Sequence, residues 1–341
     1  MFFGKTNNHP TLNLARQGGG AHGAFTWGVL DALLEDGRLH FDGVSGTSAG
    51  AMNAVALAQG LMTGGRAGAR EALARLWTAV AGSTPFDTTL PTVNEGVSLN
   101  PALKAMLQWT QYFSPSQLNP FDLNPLRDIV SEQIDFKRLR HHSPVKLFIA
   151  TTQANSGKVR VFRNNELSAD ALLASACLPT LHRAVMIDGE PYWDGGYTAN
   201  PAVFPLFYEC DSRDILLVLL TPLKFKETPD TSEDIRSRIL EIAFNSTFLR
   251  EMRMFAHLRE YVSNARIQLG RFERRIARTH FHVLEAEDLL GDLSADTKLA
   301  ANLRFFETLR DQGRARAQDW LRHNFAHVGR QSSVDLMTLF Y

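Results

Sequence analysis

The chain is 341 residues long, and its 36 basic residues balance 36 acidic ones to a formal charge of zero, which gives no argument for a nucleic-acid or strongly anionic partner. Two cysteines are too few for a disulfide framework, and the apolar or acidic neighbours of Cys177 and Cys210 predict buried thiols. With no Pro/Gly/Ser linker, low-complexity tract or internal repeat, one domain spanning 1–341 is expected.

Met1 to Asn8 hold no basic segment followed by an apolar run, so no signal peptide is read there. The first predicted strand, 12–16, runs into Gly18-Gly19-Gly20-Ala21-His22-Gly23, and a helix is predicted over 23–36. A glycine loop opening a helix bares backbone N–H groups at the positive end of the helix dipole, which suits an anion. The same letters spell G-x-G-x-x-G, the dinucleotide fingerprint. That reading needs an acid at the C-terminal end of the second strand, but the predicted strand 43–45 has Asp42 at its other end and a serine turn where the acid should stand.

The serine turn, Gly46-Thr47-Ser48-Ala49-Gly50, has the G-x-S-x-G pattern of a nucleophile elbow, in which glycines leave room for a tight turn that holds a hydroxyl at the end of a sheet. A serine at a helix start is also an ordinary N-cap, so the pattern alone leaves both readings open. Helices are predicted over 48–60 and 68–81. Residues 84–125 break the rhythm, with six prolines among Leu103, Met106, Leu107, Trp109, Tyr112, Phe113, Leu118 and Phe121. Such a segment is either a lid over an apolar site or a packed insertion.

Strands follow at 145–151 and 159–162, then a helix at 167–177 and a strand at 184–187. Asp194-Gly195-Gly196 comes next. An Asp before two glycines commonly makes a turn, yet it also puts a carboxylate on a backbone free to approach closely, and a serine hydroxyl needs a neighbour to take its proton. Beyond it lie a strand at 215–220, too short for the roughly 20 residues that span a bilayer, helices at 231–244, 246–268 and 297–324, and a strand at 280–284. Arginines between 250 and 278 accompany apolar residues at near-helical spacing. A basic amphipathic helix can lie on anionic lipid, but Glu251, Glu260 and Glu273 favour a solvated outer face. His280 and His282 share one face of their strand without a third ligand nearby, so no metal is expected. Alternating strands and helices imply an α/β fold: a three-layer α/β/α arrangement with a central, largely parallel sheet, placing Ser48 and the glycine loop at the C-terminal edge of adjacent strands.

Taken in order, Gly-Gly-Gly-x-x-Gly, Gly-Thr-Ser-x-Gly and the distant Asp-Gly-Gly resemble the patatin-like phospholipases, over about residues 12–220. The stretch Ala174-Ser175-Ala176-Cys177-Leu178-Pro179, then Asp188-Gly189 and Asn200-Pro201, is similar too. The resemblance implies a lipid acyl hydrolase in which Ser48 is the nucleophile, Asp194 its base in a Ser-Asp dyad without histidine, and an acyl-enzyme the intermediate. It implies an oxyanion hole from the amides of Gly18, Gly19, Gly20 and Ala49, with Gly23, Gly46, Gly50, Gly195 and Gly196 as motif glycines. It implies no metal or organic cofactor, a lipid or acyl-ester substrate, and a helical C-terminal part over about 231–341. Where the family usually has Arg or Lys this chain has His22, read as packing beside the loop. The alternatives are a Ser-His-Asp triad on an α/β-hydrolase fold, drawing on His257, His280, His282, His323 or His327, and a non-enzymatic lipid- or partner-binding protein. The triad fold places its elbow deeper in the sheet than strand two, which counts against it. A soluble, cytoplasmic protein is expected, any membrane contact being peripheral.

Overall fold

The predicted alternation of strand and helix yields an eight-stranded sheet in a computed structural model that describes residues 9–83, 89–91, 97–100, 113–225, 228–264, 270–291, 293 and 295–341. Its strands are β1 (Thr11–Arg16), β2 (His40–Gly46), β5 (Lys146–Gln153), β6 (Val159–Arg163), β7 (Val185–Ile187), β8 (Glu190–Asp194), β9 (Asp214–Leu219) and β10 (His280–Glu285). Across the sheet the order is β10-β9-β1-β2-β5-β8-β7. The five from β10 to β5 are parallel, whereas β8, β7 and the side strand β6 are antiparallel additions at one edge. The main helices are α1 (Gly23–Asp36), α2 (Ala49–Gly82), α3 (Ala169–Ser175), α4 (Ser232–Ser263) and α5 (Leu303–Asn324).

Parallel strands covered on both faces read as unbroken apolar runs, and β9 is buried along its whole length. Leu12 and Leu14 of β1 pack on one face with apolar residues of α1, α2 and α5, while Ala15, Ile215 and Leu217 meet Phe248, Met252 and Phe255 of α4 on the other. The sheet therefore lies between two helical layers, as the alternation implied. Cys177 and Cys210 are buried free thiols, each pushed up to about 12 by burial.

Three differences from the predicted elements have local causes. The helices expected at 48–60 and 68–81 are the two halves of α2, joined through Gly64 and Gly65, whose φ values of −148° and 60° interrupt the helix between them. The break expected near residue 245 is absent: α4 runs unbroken for 32 residues, because the helix penalty of Asn245 and Ser246 is small and the buried Phe248, Met252 and Phe255 hold the turns together. The strand β8 was not foreseen. It pairs with β7 through Asp188 and Gly189, both at positive φ (51° and 82°), which is the backbone of a tight hairpin turn and the usual reason for Asp-Gly between strands.

Within 84–125 a small antiparallel pair joins β3 (Thr89–Pro91) to β4 (Val97–Leu99), and a single helical turn spans Pro115–Leu118. Leu103, Met106, Leu107, Trp109 and Tyr112 lie outside the described residues. At 32 residues α4 is about 48 Å long, against about 20 Å for a six-residue strand. Its Asn245 stands level with Gln17 at the end of β1, so residues 232–243 reach past the sheet, with Ile235, Ile239, Leu240 and Ile242 between 42% and 61% exposed. No described helix is long and apolar enough to cross a membrane.

Candidate active site

Ser48 sits between the end of β2 and the start of α2 with φ 53°, a left-handed backbone that costs a non-glycine residue roughly 1–3 kcal/mol and persists only where neighbours enforce it. They do so on several sides. The Ser48 N–H donates to Ser175 Oγ at 3.0 Å, and Ser175 in turn donates to the Ala150 carbonyl of β5 at 2.7 Å. Thr47 Oγ1 donates to the Ala199 carbonyl at 2.6 Å. Gly50 N–H donates to the Thr47 carbonyl, while the Ala51 and Met52 N–H groups take the Ser48 carbonyl and begin the helix.

Asp194 closes β8, and the antiparallel pairing of β8 with β5 sets it opposite Thr151, two strands from Ser48. The fold has thus brought together two residues 146 positions apart. Its carboxyl lies near enough to the Ser48 hydroxyl for that group to favour its charged form, and its Oδ1 accepts from the Gly196 N–H at 2.7 Å. Gly195 and Gly196 form the turn just beyond, pressed against Thr47 and Phe244. Burial pushes the Asp194 carboxyl up to about 7, against the opposing pull of the Gly196 N–H and the Ser48 hydroxyl. A carboxyl with that value changes charge near neutrality, where an acid-base group serves both directions of a proton transfer.

The glycine loop crosses directly over the elbow. A Cβ on Gly18 would stand 2.7 Å from Ser48 Cβ and 2.8 Å from the Thr47 carbonyl oxygen, so only glycine allows this approach. Gly18 N–H already donates to Asn200 Oδ1 at 2.7 Å. That bond holds the loop down and removes Gly18 from the predicted set of anion donors. The N–H groups of Gly19 and Gly20 meet no acceptor among the described residues, and Ala49 N–H heads α2, where no intrahelical acceptor exists. Gln17 and Asn53 support the loop: Gln17 Oε1 accepts from the Leu220 and Thr221 N–H groups, and Asn53 donates to the Gly23 carbonyl while accepting from Trp77 Nε1. Gly46 ends β2 against Gly50, which itself lies against the Arg16 and Gln17 carbonyls.

His22 is buried, with Nε2 2.8 Å from Thr297 Oγ1 and its ring edge-on to Phe305. Burial, with Lys298 nearby, lowers its pKa to about 3, so it packs beside the loop as a neutral ring. The histidines that a triad would use lie elsewhere. His257 meets the Tyr341 ring edge-on and His323 bonds to the Asp319 carbonyl. His280 and His282 both contact Asp214 Oδ1, and His282 reaches Ser333 with its other nitrogen while fully buried. Among the described residues no three metal-ligating side chains form a group.

Two supporting residues, Ser175 and Asn200, were not singled out from the sequence, although each lies in a stretch that carried the resemblance. The lone hydroxyl in an alanine run and the amide before Pro201 were the available signals. The expectation of a solvated arginine-rich face also needs correction at Glu251. Its carboxylate accepts from the Val203 and Phe204 N–H groups and is pushed up to about 7 by burial, so it closes an interior turn.

The family model for patatin-like phospholipases matches residues 14–207. No curated protein matches the chain. Among solved structures the chain is similar to VipD from Legionella pneumophila, at 16% identity and a TM-score of 0.36, over 89% of this chain and 67% of that one.

Proposed function

The chain belongs to the patatin-like phospholipase family, which hydrolyses lipid esters, and on that footing we propose that it is a serine lipid acyl hydrolase working through Ser48 and Asp194. The observation that carries this reading is the Ser48 hydroxyl beside a buried carboxyl poised near neutrality, next to a glycine loop whose Gly19 and Gly20 N–H groups meet no acceptor among the described residues. Asp194 takes the proton as Ser48 Oγ attacks the ester carbonyl. The amides of Gly19, Gly20 and Ala49 hold the tetrahedral oxyanion, and Asp194 returns the proton to the leaving alcohol. Water then enters by the reverse sequence, Asp194 accepting its proton, and the fatty acid leaves. Donors fixed in place before the reaction stabilise the oxyanion without reorganising, and one such donor contributes roughly 10²–10³-fold in rate.

The approach to the site supports a lipid substrate. Ile235, Ile239 and Ile242 recur at one helical face of the part of α4 that overhangs the site, beside Phe244 and Tyr197. On the other flank Arg183 bonds to the Ser116 and Pro120 carbonyls, anchoring Phe121 (84% exposed) and Leu123 (69% exposed) over the 177–186 turn that leads to Asp194. Apolar groups open to water around an ester site fit a lipid–water boundary, and we read them as a peripheral contact. Part of the 84–125 segment serves in this reading as a lid.

Labelling with a fluorophosphonate, followed by peptide mapping and a panel of phospholipid, neutral-lipid and short esters, tests the proposal. The label is expected on Ser48, with fatty acid released from at least one lipid. An unlabelled Ser48 together with an inert panel would overturn it. Replacing Phe121 and Leu123 by Ser is expected to depress hydrolysis of a long-chain aggregated ester several-fold more than that of a short soluble one, because a long chain gains roughly 0.8 kcal/mol for each methylene it buries. Equal losses on both, with a lowered melting temperature, would make these residues packing elements instead.

A further inference from the structure

A net charge of zero conceals a strongly uneven distribution. Arg213, Arg271, Arg274, Arg275 and Arg278 together line a cavity of about 270 Å³. Arg275 is tied down, donating to the Phe207 and Cys210 carbonyls. The guanidinium groups of the other four are exposed and enter no hydrogen bond or ion pair among the described residues. The nearby acids do not neutralise them: Asp211 pairs with Lys146, Asp214 is shared by His280, His282 and the Gly329 N–H, and Glu273 is the single acid on the Arg271–Ala277 helix. Arg213 and Arg278 also line an adjoining cavity of about 430 Å³, whose other walls are Thr11, Asp211, Ser212, Asp214, His280 and Gly329.

Guanidinium groups gathered without counter-charges repel one another, and their planar donor forks match phosphate oxygens two at a time. We propose that this cavity binds a small soluble molecule carrying two or more phosphate groups, the phosphates among the arginines and the remainder in the adjoining polar cavity. Its volume suits a small ligand better than a polymer or a flat surface. Position separates a soluble ligand from a lipid headgroup. Arg213 immediately precedes β9 and Arg278 lies just before β10, so the cavity is at the N-terminal ends of parallel strands, about 20 Å from the end where Ser48 follows β2. With the catalytic end facing lipid, a choice that rests on the proposed function, the arginines face water.

The test is calorimetric titration of the full chain with tripolyphosphate at physiological ionic strength, with phosphatidylglycerol vesicles and single-stranded RNA as competing arms. Saturable binding of tripolyphosphate is expected, weaker for monophosphate and weakened further by added salt. The double variant Arg274→Ala/Arg278→Ala should lose about tenfold in affinity for each guanidinium removed. Its melting temperature without ligand should not fall and its ester hydrolysis should be unchanged, while Ser48→Ala should still bind tripolyphosphate normally. Undetectable binding, equal binding by the double variant, or vesicle or RNA binding that tripolyphosphate does not displace would each overturn the proposal.

Discussion

Ser48→Ala is expected to lower ester hydrolysis by roughly 10⁴-fold or more, because the lost oxygen is the one that would form the acyl bond. The change should leave the fold in place. What holds the elbow is backbone: the Ser48 N–H on Ser175 and the Ser48 carbonyl taken by Ala51 and Met52. Alanine keeps every one of these bonds and meets the same left-handed φ of 53° that serine already tolerates. What alanine removes is the hydroxyl facing Asp194. Initial rates on a short soluble ester, read beside a thermal melt, decide the matter. A variant that kept even a tenth of the rate with an unchanged melt would remove Ser48 from the chemistry.

Asp194→Asn is expected to cut turnover by roughly 10³-fold or more, since an amide takes no proton from the serine. Because the carboxyl is held at about 7, wild-type activity should rise with pH through neutrality as the base form appears. Stability should move oppositely. Burial raises the folded-state value above the ordinary 3.8, so the favourable contribution of the protonated carboxyl is complete below 3.8 and is lost as pH rises through about 7. Asparagine is neutral at every pH. The variant should therefore melt higher than wild type at pH 8, the gap closing towards pH 5. A variant that is both active and less stable at pH 8 would contradict the role and the burial together. Substituting His257, His280, His282, His323 or His327 one at a time should leave most activity.

The course of the sheet was legible because glycine and apolar patterning are local signals. The run 215–220 has the length and apolar content of a buried strand, and Gly37 at φ 77° ends α1 where the pattern placed its end. The register of Asp194 was not legible. It depends on β8 pairing antiparallel with β5, a long-range pairing that the local Asp188-Gly189 turn signal does not specify. The loop donors illustrate a second kind of limit. A row of glycines shows that N–H groups are bared, but not which of them a distant side chain such as Asn200 will claim. Likewise the arginines at 271–278 read as an amphipathic face until Arg213, remote in sequence, joined them at the foot of β9.

The overhang of α4 bears on how encounters with substrate would be counted. About 20 Å of helix projects beyond the sheet before Asn245, with apolar side chains open along it. A protein that rests on such a spur remains beside its substrate between turnovers, so search occurs within a plane rather than a volume. The governing concentration is then the number of esters per unit area beneath the molecule, not the amount in the tube. On the proposed reading, residence on that plane would be set by a few isoleucines far from any reacting atom and would be a kinetic variable separate from the chemical step.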